Sequence, residues 1–160
     1  MVWRRVTDDE LDRVEADPDV AQLLLTDSAE DGAPGELLDV GRAWHGVHVL
    51  LNGSPWGGQG AAFDVVLGGT PVGEPSTYEP VRALVPERVA AVATLLTETP
   101  VEDLRARFTH AGFRQAEVYP DDAWDAPDAL TAFLAPAYER LRGFYAAAAA
   151  AGDGVLVQLT

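Results

Sequence analysis

Short stretches near both ends of the chain carry the spacing of β-strands, and most of what lies between them carries the spacing of helices. In Val2–Val6 the side chains alternate, Trp3 and Arg5 on one face and Val2, Arg4 and Val6 on the other. In Val155–Thr160 an apolar row of Val155, Val157 and Leu159 repeats the pattern. Such strands must pair to satisfy their backbone groups, so the helices have to pack around a sheet that contains both of them. The fold expected is α+β: a helix-rich single domain, residues 1–160, packed around a small sheet that includes the N- and C-terminal strands. No repeat of 20–50 residues is visible.

Helix boundaries are marked by local chemistry. Thr7-Asp8-Asp9-Glu10 is a capping box, with Val6 and Leu11 at the two staple positions. Asp17-Pro18 restarts a helix that carries Val20, Leu23 and Leu24, and a polar loop is expected over Ser28–Gly35. Asp39 is placed to cap a helix from Val40 to Asn52, closed by Gly53. Gly53–Gly60, with Pro55 and Trp56, is a loop. Ala61–Leu67 is a short helix stopped by Gly68-Gly69, and Thr70–Pro80 is turn. Val81–Val85 suits a strand, and the prolines before it favour a sheet edge. Pro86 opens a helix with Val89, Val92, Ala93 and Leu96 on one face, and Thr99-Pro100-Val101-Glu102 has the form of a second capping box. Gly112 punctuates the chain, and Tyr119–Pro127 is an acidic, aromatic loop. The last helix, kinked near Pro136, turns Tyr138, Leu141, Tyr145 and Ala148 towards the core.

Composition then removes chemistry. There is no Cys, hence no thiol nucleophile, disulfide or thiolate metal site. All 11 basic residues are Arg, so Schiff-base and P-loop lysines are excluded. Against them stand 26 acidic residues, a formal net charge of −15, which repels phosphate backbones and anionic membrane surfaces alike. No nucleic-acid or membrane partner is therefore expected, and a basic protein is the partner that the charge favours. The absence of both Lys and Ile suggests a G+C-rich bacterial origin. The first 20 residues hold no apolar signal core, and the longest apolar run, Tyr145–Ala151, is far short of the roughly 20 residues a membrane span needs. A cytoplasmic setting is expected.

The sharpest candidate for chemistry lies on the helix of Trp44, His45 and His48. At 100° per residue, Val40, Trp44, Val47 and Leu51 form an apolar stripe, and Gly41, His45, His48 and Asn52 form the polar row beside it. Two imidazoles three positions apart can share a metal ion or relay a proton. With Tyr119 and Trp124 folded over them, Trp44, His45 and His48 would line a ligand pocket. Asp121 and Asp122 would be at hand as oxygen donors. The spacing is not the i, i+4 arrangement of zincin helices, however, and no third ligand is fixed, so His45 and His48 are weak metal candidates. The competing reading makes both histidines hydrogen-bonded packing residues, with Gly41 and Gly46 admitting a close neighbour. Ser54 stands outside any nucleophile elbow and reads as part of a turn. Gly53–Gly60 lacks a phosphate-binding pattern. No catalytic residue and no cofactor is assigned.

Several segments together resemble the YfbM-like family, small bacterial proteins of unknown function. They are Leu38–His48, with its Trp44-His45-Gly46-Val47-His48 core; Leu67–Gly73; Tyr78–Leu84 with Pro86-Glu87; Val118-Tyr119-Pro120 with Trp124; and Phe144-Tyr145. They recur in order over nearly the whole chain, while the 28–36 and 57–60 loops depart from the pattern. The resemblance brings no activity with it. Charge without a catalytic set points to a non-catalytic cytoplasmic recognition or regulatory protein, inhibitor- or immunity-like, that offers an acidic surface to a basic partner. The alternative is a small-molecule or metal-dependent enzyme using a His45/His48 pocket.

Overall fold

In the computed structural model the chain is described over residues 1–31, 36–73, 80–120 and 123–160, with 27–31 described by backbone alone. One antiparallel sheet of five strands runs in the order Leu37–Asp39 (β2), Val2–Val6 (β1), Gly154–Gln158 (β5), Arg82–Leu84 (β4) and Thr70–Pro71 (β3). β1 (Val2–Val6) and β5 (Gly154–Gln158), the two strands legible in the sequence, lie side by side at its centre, Trp3 opposite Val157 and Arg5 opposite Val155. The expected architecture is therefore the observed one: α+β, with both terminal strands in the sheet.

Alternation along β1 and β5 gives the sheet two apolar faces, each covered by its own layer of helices. Val6 and Leu156 face α1 (Asp8–Ala16) and α2 (Asp19–Asp31) in a small cluster with Val14, Ala21 and Leu25. Trp3, Val155 and Val157 face the larger core built with α3 (Trp44–Asn52), α4 (Gly60–Asp64), α5 (Pro86–Glu98) and α8 (Ala135–Ala151). Polar ties thread both layers. On the α1/α2 side the buried Arg4 donates to the Leu24 carbonyl at 2.6 Å and to Glu10 at 3.2 Å. On the other side the Val65 carbonyl, just past the end of α4, accepts from the Trp3 indole at 3.0 Å and the Tyr145 hydroxyl at 3.1 Å. A carbonyl left over at a helix end is thereby satisfied inside the core, where an unmet one would cost about 1–3 kcal/mol. Burial pushes the Tyr145 hydroxyl's pKa far up, so it serves only as a neutral donor. Asp64, 5% exposed, holds both prongs of the Arg88 guanidinium and so joins α4 to α5.

Several boundaries differ from expectation. The Thr7 capping box forms in full, but the second box does not: Pro100 itself is the N-cap of α6 (Val101–Arg107), without a side-chain bond. Thr99 instead offers its carbonyl to the Tyr138 hydroxyl at 2.5 Å. α2 continues to Asp31, past the expected loop start at Ser28, because weak helix formers at a helix end cost less than about 1 kcal/mol each. The rest of that loop, 32–35, lies outside the described residues, as do 74–79 of the expected turn and Asp121 and Asp122.

Asp39 does not cap a long helix. It ends a three-residue strand, β2 (Leu37–Asp39), too short to show alternation, and its carboxylate accepts the Gly41 amide at 2.7 Å ahead of a 3-10 turn over Gly41–Ala43. β4 (Arg82–Leu84) is not an edge, since a two-residue strand, β3 (Thr70–Pro71), pairs outside it. Gly112 does not break a helix. It lies inside α7 (His110–Gln115), its amide taken by the Thr109 hydroxyl at 3.0 Å. The expected irregularity near Pro136 is a π-turn over Leu130–Leu134 running straight into α8, placed where proline has no N–H to give.

Candidate functional site

α3 carries the histidine row. Its apolar positions Trp44, Val47 and Leu50 face the core, and Gly53 closes it in the left-handed conformation, φ 69°, which glycine adopts without strain. His45 and His48 are both fully buried. His45 Nδ1 accepts the backbone N–H of Tyr119 at 2.9 Å. Its Nε2 therefore carries the proton and donates to the Pro55 carbonyl at 2.8 Å. His48 repeats the arrangement. Nε2 donates to the Gly57 carbonyl at 3.2 Å, while Nδ1 faces the Asn52 amide at 3.4 Å. Asn52 is itself anchored on the His48 and Ala62 carbonyls, at 3.1 and 3.0 Å. Burial lowers the pKa of both imidazoles, that of His48 to about 4 with the neighbouring His45 adding to the shift, so both are neutral at pH 7.

The row ties loops to a helix. His45 joins α3 to the Pro55 and Tyr119 loops, and His48 joins it to Gly57. Both ring nitrogens of His45 are engaged by backbone groups, whereas His48 Nδ1 meets only the Asn52 amide, whose two hydrogens are shared with the His48 and Ala62 carbonyls. Among the described residues, no three His, Asp or Glu side chains converge as a metal site would require.

The five residues expected to line one pocket divide. Trp44 stacks on His45 at 4.9 Å, and Tyr119, 47% exposed, lies 6.3 Å from Trp44. Trp124 meets α3 on a different side. Buried, its indole N–H on the Val118 carbonyl at 2.7 Å, it stands edge-on to Phe113 and approaches Gly46. His48 contacts Phe63 edge-on at 5.8 Å. The residue that completes the cluster is Trp56, 63% exposed and 4.5 Å from the His45 ring. A tryptophan among loop glycines was its one sequence signal, and an anchoring role in the loop explains that signal equally well. Ser54 takes the turn role expected of it, its hydroxyl accepting the Gly57 amide at 3.0 Å.

Two open depressions flank the β3–β4 side of the sheet. A groove of about 360 Å³ runs between α1 and these strands, floored by Leu11, Val14, Val72 and Ala83, with Glu15 and Val85 on its margin. Successive side chains on a strand point to opposite faces, so Arg82, next to Ala83, belongs to the other side. There a cleft of about 240 Å³ is lined by Trp56, Phe63, Leu67, Arg82, Val157 and Leu159, among others.

The chain is thus an α+β protein with a central antiparallel sheet clad by helices on both faces and a buried Trp-His-Gly-Val-His segment tying two loops to α3. The family described as a domain of unknown function, DUF1877, matches residues 1–158, and the chain belongs to it. Among solved structures it is similar to YfbM from Escherichia coli, itself described as a protein of unknown function. The TM-score is 0.71 at 17% identity, covering 97% of this chain and 96% of that one. At that identity the likeness speaks to the fold. No curated protein matches the chain. No helix among the described residues is long and apolar enough to cross a membrane.

Proposed function

We propose that the protein is a non-catalytic recognition protein that takes a basic, amphipathic segment of a partner protein in the groove beside α1. The observation that carries this reading is an apolar channel with the Glu15 carboxylate on its margin, unpaired among the described residues. On α1, Asp8, Asp12 and Glu15 fall on one flank by their spacing, the flank that Glu15 places at the groove. All three are exposed, and none forms an ion pair among the described residues. Their field attracts a cationic segment, and the channel supplies apolar area for its other face. The sheet edge itself is blunt: β3 is two residues long and Pro71 has no N–H, so recognition falls to side chains rather than to an added strand. The enzyme alternative needs an imidazole nitrogen open to a ligand, and the hydrogen bonds of His45 and His48 do not favour it.

The test is fluorescence anisotropy with a labelled peptide patterned in leucine and arginine, read against a triple variant, Asp8→Asn, Asp12→Asn and Glu15→Gln. A control triple, Glu98→Gln, Glu102→Gln and Asp103→Asn, removes the same charge from exposed positions elsewhere. Affinity should fall about tenfold or more in the first and change little in the second. Equal losses in both would reduce the binding to bulk charge and overturn the reading.

A further inference from the structure

Arg82 is out of keeping with the other arginines. Arg4, Arg5, Arg88, Arg114 and Arg142 each hold a carboxylate, and Arg107 caps the Leu50 carbonyl. Arg13, Arg42, Arg105 and Arg140 are exposed to water. Arg82 is half-buried and its side chain has no hydrogen-bond or ion-pair partner among the described residues, in a chain where acidic side chains outnumber basic ones by 26 to 11. It stands opposite Val157 on the large-core face of the sheet, and among the described residues no carboxylate lines its cleft.

The other walls are apolar and held from behind. The Trp56 indole lies 4.5 Å from the His45 ring, and Phe63 meets the His48 ring edge-on at 5.8 Å. Both imidazoles are fixed by their own hydrogen bonds, so the histidine row acts as backing for the two aromatic walls. A half-buried arginine whose side chain has no anion among the described residues, set beside aromatic surface, is complementary to one kind of molecule.

We propose that this cleft binds a small aromatic monocarboxylate, the carboxylate bridging to the guanidinium of Arg82 and the ring lying against Trp56 and Phe63. A guanidinium receives a carboxylate through two parallel N–H···O bonds, a geometry lysine cannot reproduce. A volume of about 240 Å³ lies below the usual range for ligand pockets, from roughly 300 Å³ upwards, which restricts the ligand to a compact one. The net charge of −15 repels anions in general, so binding depends on this local cation. The site is independent of the α1 groove, which lies across the sheet.

Two-dimensional NMR of the nitrogen-labelled full chain, titrated with naphthoate and with the neutral naphthamide, tests the proposal. Naphthoate should move the Trp56 indole N–H and the Val157 and Leu159 amides saturably. Naphthamide, and naphthoate on Arg82→Gln, should bind about tenfold more weakly or less. Arg82→Lys should fall between, and Arg140→Gln should leave the titration unchanged. The proposal is overturned by an absence of saturable shifts at these positions, or by equal binding of acid and amide. Undiminished binding to a folded Arg82→Gln chain would overturn it as well. Should that variant fail to fold, the acid–amide comparison on the native chain decides.

Discussion

The imidazole of His45 accepts the backbone N–H of Tyr119 at 2.9 Å, across 74 residues of sequence. With the Pro55 carbonyl on the other ring nitrogen at 2.8 Å, one side chain of α3 fixes two loops and has no hydrogen-bonding capacity left over. One of the two histidines that the sequence offers as pocket candidates thus has both ring nitrogens on backbone groups of distant loops.

Replacing that side chain should therefore be costly in stability. His45→Ala strands the Tyr119 amide and the Pro55 carbonyl and opens a void beside Trp44. A loss of about 3 kcal/mol is expected in denaturant unfolding, with faster hydrogen exchange at the Tyr119 amide. A melting point like that of the native chain would show that the hydrogen bonds contribute nothing.

The second histidine sets a pH dependence. Folded His48 takes up a proton near pH 4, and an unfolded imidazole does so near 6.5, so between these values the unfolded chain binds more protons and stability rises with pH. The contribution is fully present above pH 6.5 and is lost as pH falls towards 4, an effect on the order of 3 kcal/mol. His48→Gln retains a donor for the Gly57 carbonyl and does not titrate. The gap between the two proteins should narrow on acidification, and a constant gap in unfolding experiments across this window would contradict the assignment.

Two helical glycines should respond to alanine with opposite signs. At Gly46 a Cβ would come within 2.6 Å of the Leu134 side chain and 3.0 Å of the Trp124 ring, so Gly46→Ala should destabilise by about 1–3 kcal/mol in spite of the better helix former. At Gly143 on α8 a Cβ meets nothing within 4 Å, and Gly143→Ala should stabilise by about 0.5–1 kcal/mol. Thermal unfolding of the pair gives the comparison directly.

The two capping-box sequences differ in the same manner. Thr7→Ala removes an oxygen that accepts the Glu10 amide at 3.3 Å and should cost about 1 kcal/mol. Thr99→Ala leaves its carbonyl bond to Tyr138 in place and should stay within about 0.5 kcal/mol of the native chain. Equal losses would mean that Thr99 caps α6 in solution.

What was legible in the sequence was local or periodic. The Thr7 box, the apolar face of α5 and the paired rows of β1 and β5 need only near neighbours or a regular repeat to declare themselves, because their physics acts within a turn of helix or along a strand. β2 and β3, of three and two residues, are too short to show a repeat and exist only because longer strands offer them partners.

The histidine row shows the same division within a single helix. The sequence by itself determined that His45 and His48 share one face of α3 beside the Trp44 stripe, since helical geometry alone orders residues three apart. Tertiary structure decided what that face meets: loop carbonyls and an amide from Pro55, Gly57 and Tyr119, with Trp56 laid over His45. An imidazole donates, accepts or binds a metal equally well according to its partners, and those partners arrive from distant parts of the chain through packing that no local pattern encodes.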